Sequence, residues 1–291
     1  MTWEKARISD ADGISLLAEK LFGPRDIFSS AFDIDGDWSN LVIIESASES
    51  QYDTLNDLAG NGVSLPHALL CIAGRGSRFH GFKGRRWDSP EGNLYLSAFF
   101  APHRKIENYG VGFMVLAAVS VIESIDMVPG LKSRPTVKWV NDILIDGAKV
   151  CGVLAHTIAE GDRVTGAVIG VGLNVEITPE IEPTVFVPRA GSLREFTEDA
   201  RSCRRGDLFR LLTKSIYKNY LILLEEGFPG LLKSYRDRSN VIGREVVIYD
   251  DEPGDKLSVV TEGLVTGIGD DLELLLADHD KPVRRGRLAF K

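Results

Sequence analysis

Residues 68–100, ALLCIAGRGSRFHGFKGRRWDSPEGNLYLSAFF, set a basic, glycine-rich segment between two apolar runs. Ala68–Ile72 and Asn93–Phe100 are short, apolar and bounded by turn residues, the pattern of buried strands. Between them Gly74–Trp87 carries Arg75, Arg78, Lys83, Arg85 and Arg86 with four glycines and no acid. Such a segment cannot bury itself, because its glycines lose much entropy on ordering and its cations repel one another. It is either a solvated surface loop or an anion-binding element. Anchorage at both ends by buried strands positions it, which recognition requires.

The 291 residues are 44% hydrophobic, enough for one large domain or a domain with a small appendage. With 34 Lys and Arg against 42 Asp and Glu, the net charge is -8. That disfavours nucleic acid as the main partner, although the local basic loop keeps a non-catalytic regulatory binder as one alternative. Cys71, Cys151 and Cys203 are far apart and read as reduced thiols of an intracellular protein. The N-terminus MTWEKARISDADG is charged where a signal peptide would be apolar, and no uninterrupted apolar run is long enough to span a membrane. The expectation is a cytoplasmic protein with no membrane association.

Ile14–Phe22 reads as one amphipathic helix followed by a Gly/Pro/Asp-rich stretch to Asn40. One helix is not a helix-turn-helix, so no DNA-binding domain is expected. Leu41–Ile44 reads as a buried strand. Ser50, with Asp53 three residues on, suggests the cap of a helix through Leu55 and Leu58 that stops at Gly60-Asn61-Gly62. Met114, Ala117, Ala118, Val121, Ile122 and Ile125 recur at helical spacing, and Pro129-Gly130 ends that core helix. Arg163–Val175 is an apolar strand interrupted by Gly166, Gly170 and Gly172, which implies a close ligand or a tight bend. After the proline-rich loop Thr178–Gly191, Asp207 is expected to cap a helix striped by Phe209, Leu212, Ile216, Tyr220 and Leu223, with Gly227 as its stop. Beyond a boundary near Ser239 the period changes to short strands, Glu245–Tyr249, Leu257–Gly267, Glu273–Ala277 and Arg287–Lys291, suggesting a small SH3-like β-barrel.

Residues 137–154, VKWVNDILIDGAKVCGVL, are the second informative stretch. Thr136–Ile145 and Lys149–Thr157 read as a hairpin around Asp146-Gly147. In a continuous strand, Lys138, Val140 and Asp142 would share one face, with Trp139 and Asn141 on the other. Polar groups on so apolar a strand need partners, so they form an internal network or line a site. Lys149 alone would be a solvated strand-end lysine; beside Lys138, Asn141 and Asp142 it becomes a cation for a carboxylate or phosphate. The five histidines lack zinc-ligand spacing, and no Walker A motif, complete dinucleotide fingerprint or G-x-S-x-G elbow occurs.

The ordered set GRG...GRRW (Gly74–Trp87), SPEGNLYLS (Ser89–Ser97), KWVND (Lys138–Asp142), Lys149 with Gly152, and GVGLNV (Gly170–Val175) resembles the biotin protein ligases of the biotin/lipoyl ligase superfamily. The resemblance runs from Asn40 to the terminal GRLAFK. It implies an α+β fold: a mixed β-sheet flanked by helices, of the class II synthetase and biotin ligase-like kind, over residues 1–238, with the SH3-like module over 239–291. It implies an ATP-dependent ligase that makes biotinyl-5′-AMP from biotin and Mg-ATP, then passes biotin to a lysine of a biotin carboxyl carrier protein or domain. A homodimer is compatible with it.

Carried over by position, the resemblance makes Lys149, Arg75 and Arg78 the catalytic set. Gly74, Gly76 and Ser77 belong to the loop closing over biotin and its adenylate, and Trp87 walls the adenine site. Asn141 and Asp142 face the nucleotide, Asp142 with its magnesium. Lys149 holds the biotin carboxylate, Lys138 and Gly152 lie beside it, and Gly172 and Asn174 line the nucleotide pocket. On the biotin side the chain has Ser48-Glu49-Ser50 where the family has Ser-Thr-Asn, and Cys71 where it has glutamine. The basic loop is also longer, leaving the second loop-arginine role to Ser77 or Arg78. These departures admit a second reading, a ligase or acyltransferase for another carboxylate such as lipoate or octanoate.

Overall fold

The computed structural model describes residues 4–5, 13–22, 28–29, 34–251 and 258–291. Most of the N-terminal run before Gly13 and much of the Gly23–Asn40 stretch lie outside the described residues, as does Leu257. The elements in order are β1 Glu4–Lys5, α1 Gly13–Phe22, β2 Phe28–Ser29, β3 Asn40–Ala47, α2 Gln51–Gly60, β4 Leu69–Gly76, β5 Leu94–Phe100 and β6 Arg104–Lys105. They continue with α3 Tyr109–Asp126, β7 Thr136–Lys138, β8 Asp142–Ile145, β9 Ala148–Glu160, β10 Arg163–Leu173, α4 Arg205–Glu225, α5 Phe228–Asp237, β11 Glu245–Tyr249, β12 Val259–Ile268, β13 Leu274–Leu276 and β14 Arg287–Phe290.

A mixed sheet runs β3-β4-β5-β10-β9-β8-β7, with β6 paired to β10. β3 and β4 are parallel and the other pairs antiparallel. The helices α1 and α2 cover one face, while α3, α4 and α5 cover the other. The period-2 pattern of β10 separates the two. Ile169, Val171 and Leu173 point into the main core with Phe113, Leu116 and Ala117 of α3, while Gly170 and Gly172 face the α2 side. By length and composition α3 could cross a membrane, but two thirds of it is buried in this core.

The stretch 136–145 departs from the expected single strand. The chain reverses at Trp139-Val140-Asn141, with a cis peptide between Trp139 and Val140, so β7 and β8 form their own tight hairpin in which Lys138 pairs with Asp142. Lys138 and Asp142 still share a face, but as directly opposed partners of a hairpin and not as neighbours along one strand. Asp207 lies in the first turn of α4 rather than at its cap, which is Arg204, while Gly227 follows the Glu226 C-cap as the expected stop and is also the N-cap position of α5. Ser50 occupies the cap position of α2, but its hydroxyl makes no capping bond.

After Ser239 the described strands form a four-stranded antiparallel sheet in the open order β13-β12-β11-β14, without barrel closure. Val246, Ile248, Leu274 and Leu288 from this sheet join the same apolar cluster as α3. Trp139 Nε1 donates to Leu272 O at 2.6 Å, and Arg236 Nε donates to Ile268 O at 2.7 Å, so hydrogen bonds also tie the C-terminal part to the β7–β8 turn and to α5.

Phe113 is fully buried at the centre of this core. Truncation to Ala should lower the urea-unfolding free energy by about 3–5 kcal/mol through lost burial and a residual cavity. A loss under about 1 kcal/mol would show that α3 does not anchor both layers.

Candidate functional site

One register row crosses six strands. Ala73 pairs with Tyr95, Tyr95 with Gly172, Gly172 with Gly152, Gly152 with Asp142, and Asp142 with Lys138. At strand spacing this row is about 24 Å long. The parallel row above it runs Cys71, Ser97, Gly170 and Leu154. On the α2 side of these rows lies a cavity of about 290 Å³.

Its charged end is compact. Lys149 Nζ lies 2.6 Å from Asp142 Oδ1, with both side chains largely enclosed. Lys138, buried, donates to Phe186 O. Burial pulls the Lys138 ammonium down to about 8; Asp142 works the other way, and Lys149, Arg287 and Arg85 add to the lowering. Arg287 is likewise lowered, first by burial and then by Arg85, and its guanidinium lies 3.5 Å from the centre of the Phe186 ring. Lys138, Lys149, Arg85 and Arg287 thus gather around Asp142, with Asp251 also acting on Arg287, an arrangement that favours a polyanion.

The glycines form the floor. A Cβ on Gly172 would stand 2.8 Å from the Trp87 indole, and one on Gly152 would stand 3.1 Å from the same ring. Trp87 is therefore laid flat on a side-chain-free patch, with Lys149 Nζ 5.2 Å from the ring centre. Its Nε1 is enclosed without a partner. What comes close at Gly170 and Gly172 is neither a ligand nor a bend but the Tyr52 and Trp87 rings. Asn141 Nδ2 donates to Val153 O at 2.8 Å and Asn174 Nδ2 to Gly191 O at 3.0 Å, which fixes both amides at the rim of the cavity.

Of the residues anticipated, Ser50, Trp87, Lys138, Asn141, Asp142, Lys149, Gly152, Gly172 and Asn174 line this cavity. Ser48, Glu49, Cys71, Gly74, Arg75, Gly76, Ser77 and Arg78 do not. Cys71 is sealed among Leu17, Leu55, Leu58 and Phe99, and burial drives its thiol far above the usual range. Gly74 lets β4 approach the Glu45 backbone, where a Cβ would stand 2.6 Å from the carbonyl oxygen, and Gly76 makes room for the Phe79 ring. Arg78 is turned outward to Glu49 Oε1 at 2.7 Å, while Ser77 Oγ and Arg78 Nε donate to Ser48 O. Arg75 is exposed at the end of β4. The cations that the basic loop delivers to the wall are instead Arg85 and Arg86.

Three acids hold the loop: Glu49 on Arg78, Asp53 on His80 at 2.6 Å, and Asp251 on Lys83 at 3.1 Å. Asp251 belongs to the C-terminal part, which also sends Gly286, Arg287 and Leu288 into the cavity wall. Sequence reasoning missed that contribution, and also Gln51 and Phe186. The terminal GRLAFK was noticed only as part of a pattern, and nothing local to Arg287 signals a partner about a hundred residues back in the chain.

Gly172→Val should lift Trp87 from its seat, red-shifting its fluorescence and weakening ATP binding while the thermal midpoint changes little. An unshifted emission spectrum in a folded variant would contradict this packing.

The sequence matches the model of the biotin/lipoate A/B protein ligase family over residues 53–174. It is 30% identical over 209 residues to a biotin–(acetyl-CoA-carboxylase) ligase of Paracoccus denitrificans, covering 70% of this chain and 80% of that protein. It is 28% identical over 240 residues to the bifunctional ligase/repressor BirA of Bacillus subtilis (strain 168), covering 82% of this chain and 70% of the relative. Among solved structures, the Aquifex aeolicus biotin protein ligase in complex with biotin and ATP superposes with a TM-score of 0.65 at 22% identity, over 87% of this chain and 99% of that one. That likeness concerns the fold. Taken with the identity to the Paracoccus enzyme, it places the chain in the biotin/lipoate A/B protein ligase family, among the biotin protein ligases.

Proposed function

We propose that this site activates biotin with ATP to biotinyl-5′-AMP and passes the biotinyl group to a lysine of a biotin carboxyl carrier domain. The chain is an ATP-dependent biotin–protein ligase. The observation that carries the assignment to this cavity is the convergence of Arg85, Lys138, Lys149 and Arg287 on a glycine floor beside Trp87.

In the first step a biotin carboxylate oxygen attacks the α-phosphorus; an O–P bond forms as the bond to the bridging oxygen breaks, and pyrophosphate leaves with the electron pair. Both reactants are anions, so fixed positive charge lowers the barrier. We assign Lys149 to the carboxylate oxygen, Lys138 with Arg85 and Arg287 to the phosphates, and Trp87 and Asn174 to the adenine side. In the second step the neutral carrier lysine attacks the acyl carbon, loses its proton, and AMP departs. The anhydride supplies its own good leaving group, so no strong protein base is required. Arg75 and Arg78 are assigned to loop closure over the adenylate, which would exchange the Glu49 contact of Arg78 for the ligand.

Among the described residues no group of three or more His, Cys, Asp or Glu forms a metal cage. Magnesium carried in by the triphosphate needs only one or two protein carboxylates, and Asp142 fits that need; bound there, the ion would neutralise phosphate charge. The C-terminal sheet is proposed to be an SH3-like module that roofs the cavity through Gly286–Leu288.

Two of the features that pointed to another acid lie outside the cavity, Glu49 paired with Arg78 and Cys71 sealed in the core, whereas Ser50 lines it. The basic loop is no open stripe for nucleic acid either, since three of its side chains are held by acids.

Incubation with ATP, labelled biotin and a carrier domain should label the carrier; absence of both labelled adenylate and labelled carrier contradicts the proposal. Lys149→Ala should cut biotin-dependent pyrophosphate release by about 10²–10³-fold with the fold intact, and unchanged release would displace Lys149 from the carboxylate. Lys138 loses its charge as pH rises through about 8, so its attraction for phosphate is present below that pH and lost above it. The kcat/KM for ATP should therefore fall on an alkaline limb near pH 8 that Lys138→Arg moves upward. A limb that stays in place assigns it to another group.

A further inference from the structure

A second cavity, of about 280 Å³, adjoins the first. Lys138, Asp142 and Lys149 line both, as do Phe186 and Val187 of the proline-rich loop. The charged end of the main cavity is therefore a partition with space on each side, and not a blind wall. Lys138 stands in that partition, only 5% exposed, its ammonium donating to the neutral Phe186 carbonyl. Beyond it lie Arg189 and Arg244, which line the second cavity and not the first. Both are exposed, so they mark where this cavity meets solvent. Arg189 is offset by Glu195 at 2.6 Å, whereas the Arg244 guanidinium lies over the Phe290 ring, 3.7 Å from its centre, which fixes its place and keeps its charge. Asp142 is the one acid among the described residues that line this space. A recess with more cations than acids, reached past a buried ammonium, suits a small anion of multiple charge.

The reaction assigned to the main cavity releases such an anion. In-line displacement sends the leaving group away from the attacking oxygen, hence from the carboxylate at Lys149 toward the cations assigned to the phosphates. The mixed anhydride left behind must stay shielded from water until the carrier lysine arrives. Were pyrophosphate to leave by the way the substrates entered, the basic loop would have to open and expose that anhydride. We propose that the second cavity is the product site: pyrophosphate passes Lys138 and Lys149 into it, is held by Arg244 and Arg189, and leaves there while the adenylate stays under the loop. This assignment rests on the ligase reading of the main cavity and adds a separate outlet to it.

The test is calorimetry on the chain loaded with a non-hydrolysable biotinyl-adenylate analogue and titrated with pyrophosphate. The loaded wild type should bind pyrophosphate, and Arg244→Ala should weaken that binding about tenfold through loss of a charged contact. Val185, 54% exposed, lines the second cavity alone, so Val185→Trp should weaken it too by filling the space. Affinity for the adenylate analogue and for a non-hydrolysable ATP analogue should change by less than about twofold in both variants, as expected for a site outside the main cavity. Failure of pyrophosphate to bind the loaded wild type overturns the proposal, as does unchanged pyrophosphate affinity in both variants. An equal loss of affinity for the ATP analogue in Arg244→Ala also overturns it, because the cavity would then hold the phosphates before the bond breaks and not after. Should Arg244→Ala fail to fold, Val185→Trp decides by the same comparison. A wild type that binds neither biotin nor ATP contradicts the ligase reading itself, a result distinct from a loaded enzyme that rejects pyrophosphate.

Discussion

The contact between Lys149 Nζ and Asp142 Oδ1, at 2.6 Å, lets the rest of the site exist. Lys138, Lys149, Arg85 and Arg287 feel one another's charge, and burial depresses both Lys138 and Arg287. Without a local anion such a group would repel itself apart or shed protons. Asp142 supplies that anion, and it does so because the chain turns back at residues 139–141 and sets Asp142 across from Lys138 and beside Gly152. In the proposed reaction the incoming carboxylate and triphosphate bring more negative charge to the same cations. The ion pair thus holds a place that substrate competes for, and its strength sets how readily the site is filled.

A second constraint is steric. Gly152 and Gly172 are cross-strand partners, and their missing side chains leave a flat patch that the Trp87 indole covers. A planar ring fits there and a branched side chain on the floor would not. Trp87 closes a basic loop in which Arg78, His80 and Lys83 are held by Glu49, Asp53 and Asp251. Exposed pairs such as Arg78–Glu49 contribute only about 0–1 kcal/mol each, so that part of the loop is held firmly enough to be placed and loosely enough to be moved by a ligand. The Lys83–Asp251 pair also ties it to the C-terminal sheet, whose Arg287 reaches the same cavity.

Much of this was legible in the sequence where the signal was local. The strands flanking the basic loop, α3 with its apolar stripe, the Asp146-Gly147 turn and the glycines of β10 each follow from spacing within one element. Lys138, Asp142 and Lys149 were found together because a single hairpin region carries them. What was not legible depends on register between distant strands. The row from Ala73 to Lys138 joins strands that lie far apart in the chain, and no local period reports which glycine stands opposite which acid. Alternation set Lys138 and Asp142 on one face, as their pairing does, but gave no sign that the chain reverses between them. Nor does a local pattern report which loop cations line the cavity as it stands: Arg85 and Arg86 do, while Arg78 is paired with Glu49 on the segment before α2.

The central claim is that the two negatively charged substrates are brought together along the row from Tyr95 to Lys138. The direct measurement is a crystal structure with a non-hydrolysable biotinyl-adenylate analogue. The account predicts Trp87 displaced from its seat on Gly172 and Gly152, density lying across those glycines, and the acyl phosphate beside Lys149 and Lys138. Density bound elsewhere, with this row still covered by Trp87 and Lys149 still paired only with Asp142, would contradict it.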